Sequence, residues 1–157
     1  MKPLSNFEII SICNKNKLLK KHFLGVFPRG KYVNRNLCKI PSFFIQNNDF
    51  MNEAGRHWLL IVYTHKMTYF FDPFGFSPEL YGFNLILERN NLPIIRSCKQ
   101  IQSSTSNACG YHCIVVAFLI LHKKSFHNIL NNFYSTNLTD NDSKVYKIVK
   151  KWRNIKL

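Results

Sequence analysis

The sequence predicts one α+β domain spanning residues 1–157, with a central mixed β-sheet and helices on both sides. Three observations carry that prediction. Residues His57–Tyr63 and Met67–Asp72 form two β-rich apolar runs separated by a short turn near His65-Lys66. Their apolar character is nearly continuous rather than alternating, which suits strands covered on both faces. A polar, small-residue loop ending at Cys109 then gives way to the apolar run Ile114–Leu121, a helix apolar nearly all round and therefore central. Finally, both ends of the chain carry helical segments with polar outer faces, and 157 residues suit one core without disulfide staples.

Taken in order, Ser5-Asn6-Phe7-Glu8 fits a capping box opening a short helix with Phe7, Ile9, Ile10 and Ile12 as its apolar residues. Lys15–Lys21 is basic, and Phe23–Gly30 contains enough turn residues to read as a loop. Ser42–Ile45 is a strand. After the two central strands, Asp72-Pro73-Phe74-Gly75-Phe76 makes a turn. Ser77-Pro78-Glu79 opens a helix with Leu80, Phe83 and Leu87 as its stripe, stopping near Asn90-Asn91. Pro93–Arg96 is a further strand. Helices are expected over Phe126–Tyr134 and Ser143–Asn154, the last with Val145, Ile148, Val149 and Trp152 inward and Lys144, Lys147, Lys150, Lys151 and Arg153 outward.

Composition excludes several classes. No apolar run reaches the ~18–20 residues a bilayer span needs, and Met1–Glu8 has no signal-peptide core. The five cysteines, Cys13, Cys38, Cys98, Cys109 and Cys113, lack paired C-x-x-C spacing. Neither a disulfide framework nor a metal site is expected, and a reducing intracellular compartment is. The net charge of +14 divides as +7 over residues 1–50, +1 over 51–100 and +6 over 101–157. Basic charge gathered at the two ends points to a nucleic-acid surface, against the plainer reading of solubility and a Lys-rich bias.

Chemistry concentrates in the loop Gln100–Cys113. Helix N-termini favour thiolate over thiol, and the thiolate is the nucleophile. Cys109 sits at such a start, with Ala108 and Gly110 leaving room for a carbonyl to approach. A loop leading into a core helix with two cysteines is the plain alternative. A thiol hydrolase needs a base, a group to orient that base and donors for the oxyanion. His57 begins one central strand and Asp72 ends its partner, so a short hairpin returns the carboxylate to the imidazole. Gln102, seven residues before Cys109, is the amide candidate for the oxyanion, with Gln100 as its rival. Cys113, one helical turn beyond Cys109, reads as core, and His112 and His65 as surface or loop residues. The order His, Asp, Gln, Cys reverses that of papain-like enzymes.

Gly55-Arg56-His57-Trp58-Leu59, Phe71–Ser77, and Gln102 leading to Ser106-Asn107-Ala108-Cys109-Gly110 together resemble the adenovirus proteinase (adenain) family, also encoded by polinton or Maverick-type elements. Phe23-Leu24-Gly25 extends the resemblance, which covers about residues 5–125. It implies an adenain/SUMO-protease-like fold, with Cys109 as nucleophile, His57 as general base and acid, Asp72 as orienter and Gln102 as oxyanion donor. Trp58 matches a residue walling a narrow channel for glycine-containing segments; Asn107 and Gly110 complete the candidate substrate-binding set. The implied substrates are viral capsid or core precursors. DNA and a short viral peptide are the implied activators, no metal or small-molecule cofactor is expected, and the expected location is the virion and the host nucleus or cytoplasm of a monomeric enzyme. Three departures stand out, the first being that little of the chain after about Lys123 matches the family. The family has Glu at the position of Asp72, and no clear counterpart exists for its activating-peptide cysteine. A SUMO- or ubiquitin-type isopeptidase shares the pattern, although Ala108 before the cysteine favours the viral branch. A basic DNA-binding module with a decayed site is the reading from a different class.

Overall fold

In this computed structural model, residues 1–49, 51, 57–83 and 87–154 are described. Five strands form one sheet in the order β1-β2-β3-β4-β5: Phe23–Phe27, Ser42–Asn47, Trp58–Tyr63, Thr68–Phe71 and Ile94–Arg96. β2, β3 and β4 are antiparallel neighbours, while β1 joins β2 and β5 joins β4 in parallel, so the sheet is mixed as expected.

Side-chain alternation sends Leu60, Val62 and Phe71 to one face and Leu59, Ile61, Tyr63 and Phe70 to the other, each in its own buried cluster. The first face takes the long helices: α1 (Asn6–Lys15), α2 (Lys17–His22), α3 (Cys109–Leu121) and α4 (Leu138–Arg153). The second is covered by the chain between β1 and β2 and by the 3-10 turn Pro78–Tyr81, which contributes Tyr81. α3 buries every residue from Cys109 to Ala117, so its all-round apolar character reflects a central position.

Local signals account for most of the element ends. Ser5 and Glu8 form the capping box of α1, although Phe7 points outward at 78% exposure, leaving Ile9, Ile12 and Cys13 as the buried stripe. α4 starts earlier than Ser143, because Asn137 caps it by accepting from the Asp140 N–H. The segment expected as a helix over Phe126–Tyr134 is one α turn that passes into a π-helix at Ile129–Phe133.

Two expectations are corrected. Phe23–Phe27 is a strand rather than a loop. Gly25, at φ +137, takes a backbone that other residues avoid, and the register slips there, so the turn-like composition belongs to a bulged edge strand held by β2. The continuous helix from Ser77 to Asn90 is broken, since the turn Pro78–Tyr81 ends at Gly82 in the left-handed region (φ +70). Residues 84–86 of that expectation, and Gly55-Arg56 of the His57 motif, lie outside the described residues.

Candidate active site

His57 and Asp72 stand at the open ends of β3 and β4. The register pairs Leu60 with Phe71, and one further antiparallel step sets Asp72 opposite Leu59, on the same face as His57 two residues earlier. The imidazole Nε2–H accordingly donates to Asp72 Oδ1 at 2.8 Å. The Phe74 ring stacks on the imidazole with centroids 4.8 Å apart. Asp72 is fully buried and well supplied with donors. Oδ1 also accepts from the Phe74 N–H at 2.8 Å, and Oδ2 accepts from the Tyr81 hydroxyl at 2.7 Å. Ser97 closes the backbone, its Oγ accepting from the Asp72 N–H at 2.9 Å and donating to the Asp72 carbonyl at 3.0 Å. A buried carboxylate accepting three hydrogen bonds is fixed in both position and orientation.

The thiol arrives from the opposite direction. By alternation His57 and Asp72 belong to the face away from α3, just beyond the ends of β3 and β4. There Cys109 and the imidazole come within interaction range, and with Nε2 committed to Asp72 the ring nitrogen left for the sulfur is Nδ1. Burial lowers the imidazole's pKa, but the hydrogen bonds and charges of Asp72 and Cys109 outweigh it, and the net result is a rise to about 9. His57 at 7% and Cys109 at 6% exposure sit just beneath the surface.

The start of α3 is also distinctive. α1, α2 and α4 each have a side-chain cap from Ser5, Asn16 and Asn137, whereas Ala108 at the α3 N-cap offers none. The first-turn N–H groups of an uncapped helix have no intrahelical acceptor. Those of Cys109 and Gly110 are thus donors beside the sulfur.

Gln102 is buried at 1% exposure, on a loop pinned by its backbone: the N–H groups of Ile101 and Gln102 both donate to the Pro73 carbonyl, at 2.9 and 3.2 Å. Gly75 permits this contact. It adopts φ +77, and a Cβ there would come within 2.8 Å of the Lys99 backbone. One amide hydrogen of Gln102 goes to the Ser106 carbonyl at 2.9 Å, and Oε1 has no partner among the described residues. Gln100, the rival, turns its amide to the Gln102 carbonyl at 2.9 Å.

Of the candidate substrate-side residues, Trp58 and Gly110 are in contact and Asn107 is exposed on the approach to the sulfur. A Cβ on Gly110 would sit 3.2 Å from the indole and 3.3 Å from Leu4, so glycine is what lets the helix start slide under Trp58. The indole N–H donates to the Leu4 carbonyl at 2.8 Å. From this wall a groove of about 930 Å³ runs past Leu4, Phe27, Asn47 and Met51.

One sequence reading is overturned here. His112 is not a surface residue but fully buried, its Nε2–H donating to Asp142 Oδ1 at 2.8 Å and its Nδ1 accepting from the Tyr134 hydroxyl at 3.0 Å. Burial is the larger influence on its pKa and lowers it in spite of Asp142. A polar residue in an all-apolar helix must find a partner inside, and that rule would have flagged it. Tyr81 and Ser97 were also missed, since nothing in their spacing marks them as neighbours of Asp72, whereas Phe74, two residues on, is placed by the turn itself. Cys113 is core as expected, its thiol donating to the Trp58 carbonyl at 3.3 Å. Among the described residues, no group of three His, Cys, Asp or Glu side chains is arranged to hold a metal, and no helix is long and apolar enough to cross a membrane.

No family model matches the chain. Its sequence is similar to the protease of frog adenovirus 1, at 30% identity over 123 residues, covering 69% of this chain and 60% of that protein. The protease of porcine adenovirus A serotype 3 is 31% identical over 87 residues, covering 45% of this chain and 43% of that protein. The match thus spans 60% or less of these curated relatives' own length. Among solved structures, the ASFV pS273R protease superposes with a TM-score of 0.64 at 19% identity, covering 98% of this chain and 69% of that one. ChlaDub1 of Chlamydia trachomatis does so with a TM-score of 0.52 at 15% identity, covering 96% and 77%.

Proposed function

We propose that this chain, whose sequence matches adenovirus proteases and whose fold is that of the SUMO-protease-like cysteine proteases, is a cysteine endopeptidase that cleaves viral capsid or core precursors at glycine-containing sites. The observation carrying this reading is an imidazole shared between a buried carboxylate and a thiol at an uncapped helix start.

In this mechanism His57 takes the Cys109 proton, and the raised imidazole pKa favours the resulting ion pair. The sulfur attacks the scissile carbonyl carbon and the carbonyl π electrons move onto oxygen. That oxyanion is met by the Cys109 N–H and the uncommitted N–H of the Gln102 amide. When the oxyanion collapses, the C–N bond breaks and the amine leaves with the imidazolium proton, giving a thioester. His57 then deprotonates water, which attacks the thioester; a second oxyanion forms and collapses, releasing the acid and the thiolate. Asp72 holds the ring throughout with Nδ1 toward the sulfur. The groove reaches Trp58, whose indole abuts Gly110, and so suits an extended polypeptide whose last residues before the cut are small.

DNA is the proposed activator. The basic ends of the chain meet in space, the Lys15 ammonium donating to the Arg153 carbonyl at 3.0 Å. Lys17, Lys20 and Lys21 follow Lys15 on α2 and Lys147, Lys150 and Lys151 precede Arg153 on α4, all of them exposed. Stimulation by polynucleotide should fall steeply with added salt.

The test is cleavage of a peptide library by the wild-type chain, with and without DNA. Hydrolysis after glycine-containing sequences, absent in Cys109→Ala, is expected. Equal turnover by Cys109→Ala, or cleavage confined to ubiquitin-like conjugates, would overturn the reading or replace the substrate class.

A further inference from the structure

Beyond the reacting groups, the oxyanion loop has a second anchor that nothing in its own sequence announces. On one side residues 99–102 rest against the turn Asp72–Gly75, as described above. On the other they meet the first turn of α4, forty residues further along the chain. Asn141 Nδ2 donates to the Ile101 carbonyl at 3.1 Å and to the Ser135 carbonyl at 3.0 Å. Its Oδ1 accepts from the Ser135 N–H at 2.9 Å. Asp142 Oδ2 accepts from the Ser103 N–H at 3.3 Å while Oδ1 accepts from His112 at 2.8 Å. Both side chains are buried, at 1% and 4% exposure, and the Lys99 ammonium adds a bond to the Leu130 carbonyl at 3.2 Å.

Gln102 therefore sits between two residues whose backbones are held from α4, Ile101 through its carbonyl and Ser103 through its N–H. Asp142 also holds His112, one turn below Cys109 on α3. A single carboxylate thus ties the amide-bearing loop to the helix that carries the sulfur. We infer that Asn141 and Asp142 are positioning residues that set the distance between the Gln102 amide and Cys109, giving the C-terminal helix a part in catalysis without touching substrate. The inference rests on the protease reading above and extends it.

The chemistry singles out a carboxylate at 142. The neutral His112, accepting a hydrogen bond from the Tyr134 hydroxyl at Nδ1, presents N–H at Nε2, and Ser103 presents N–H as well. Two donors face residue 142, and Asp can accept both. Asn, of the same shape, has one acceptor oxygen and must leave one donor facing an NH₂ group. Asp142→Asn thus loosens the link while conserving volume. Asn141→Asp does the same from the other contact, by turning a donor to the Ile101 carbonyl into an acceptor.

The experiment compares two reactions of the same sulfur. Peptide hydrolysis passes through an oxyanion; alkylation by iodoacetamide forms a C–S bond and expels iodide with no oxyanion. If the clamp positions Gln102, Asp142→Asn should lower kcat about tenfold or more, toward the effect of losing an oxyanion donor. KM should stay within about twofold, and Cys109 alkylation should keep its wild-type rate. Tyr134→Phe, which leaves both loop contacts in place, should keep wild-type kcat. Should Asp142→Asn fail to fold, Asn141→Asp is read in its place with the same expectations. Undiminished kcat in a folded variant overturns the clamp, as does a parallel fall of kcat and alkylation, which would mean damage to the His57–Cys109 pair. A wild-type chain that cleaves nothing sinks the protease reading itself, a separate and distinguishable failure.

Discussion

Two histidine–aspartate pairs lie close together in this protein, and by distance they are the same object. His57 donates to Asp72 and His112 to Asp142, each at 2.8 Å. Their surroundings send them in opposite directions. His57 sits at the strand ends with a thiol on its other nitrogen, and its pKa rises to about 9. His112 is sealed inside with a neutral tyrosine hydroxyl on its other nitrogen, and burial lowers its pKa. The carboxylate does not by itself make a histidine a base. What the second ring nitrogen meets, and how much water reaches it, decides whether the imidazolium is held or refused. One pair is thereby suited to moving protons and the other to fastening helices together.

The comparison breaks most sharply at the first pair. His57→Ala should lower kcat by about 10⁴-fold or more with the fold intact, read by peptide hydrolysis and thermal melting together. Retained turnover would place the base elsewhere.

The corresponding change in the second pair should act on stability. His112→Leu leaves Asp142 buried with only the Ser103 N–H, and removing a hydrogen-bond partner from a buried group costs about 1–3 kcal/mol, more when that group is charged. Denaturant unfolding should register that loss, while Cys109 in the folded fraction still alkylates at the wild-type rate.

Opposite pKa directions give opposite pH signs. His57 is raised from 6.5 to about 9, so its contribution to stability is full below pH 6.5 and is lost as pH rises through about 9. His112 is lowered from 6.5, so its contribution is present above that value and is lost as pH falls below it. Unfolding free energy against pH should fall on both flanks. His57→Gln should flatten the alkaline flank alone and His112→Gln the acid one; a single variant flattening both would mean the pairs titrate together.

The smallest effect concerns Tyr81, one of three side-chain or loop donors to the Asp72 carboxylate. Tyr81→Phe should cost about 1 kcal/mol of stability and reduce kcat less than tenfold, since His57 and Phe74 still fix the carboxylate. A loss as large as that of His57→Ala would make the hydroxyl part of the chemistry.

How far the sequence was legible depended on whether a residue's partners were local. Cys109, His57, Asp72 and Gln102 were candidates from the sequence, because each sits at a boundary that composition marks (a helix start, a strand start, a strand end, a polar loop) and in a motif resembling a known family. The central strands, α3 and the capping box of α1 were legible for the same reason. β1 was not, because Gly25 and the turn-rich residues after it conceal an edge strand whose partner, β2, lies across a long connection. Tyr81 was hidden by a turn that Gly82 ends earlier than the helical pattern suggested.

By itself, then, the amino-acid sequence determined the kinds of chemical group present and the elements that present them, through periodicity, caps and the rigid spacing of one hairpin. Only the tertiary structure decided how those groups are brought together and which further side chains hold them. His57 and Cys109 approach from opposite faces of the sheet and meet past the strand ends, while His112, three residues from Cys109, turns inward to a carboxylate thirty residues away. Sequence patterns report a side chain's element and face; contacts made across layers depend on how those layers pack, and packing is settled by the whole core at once.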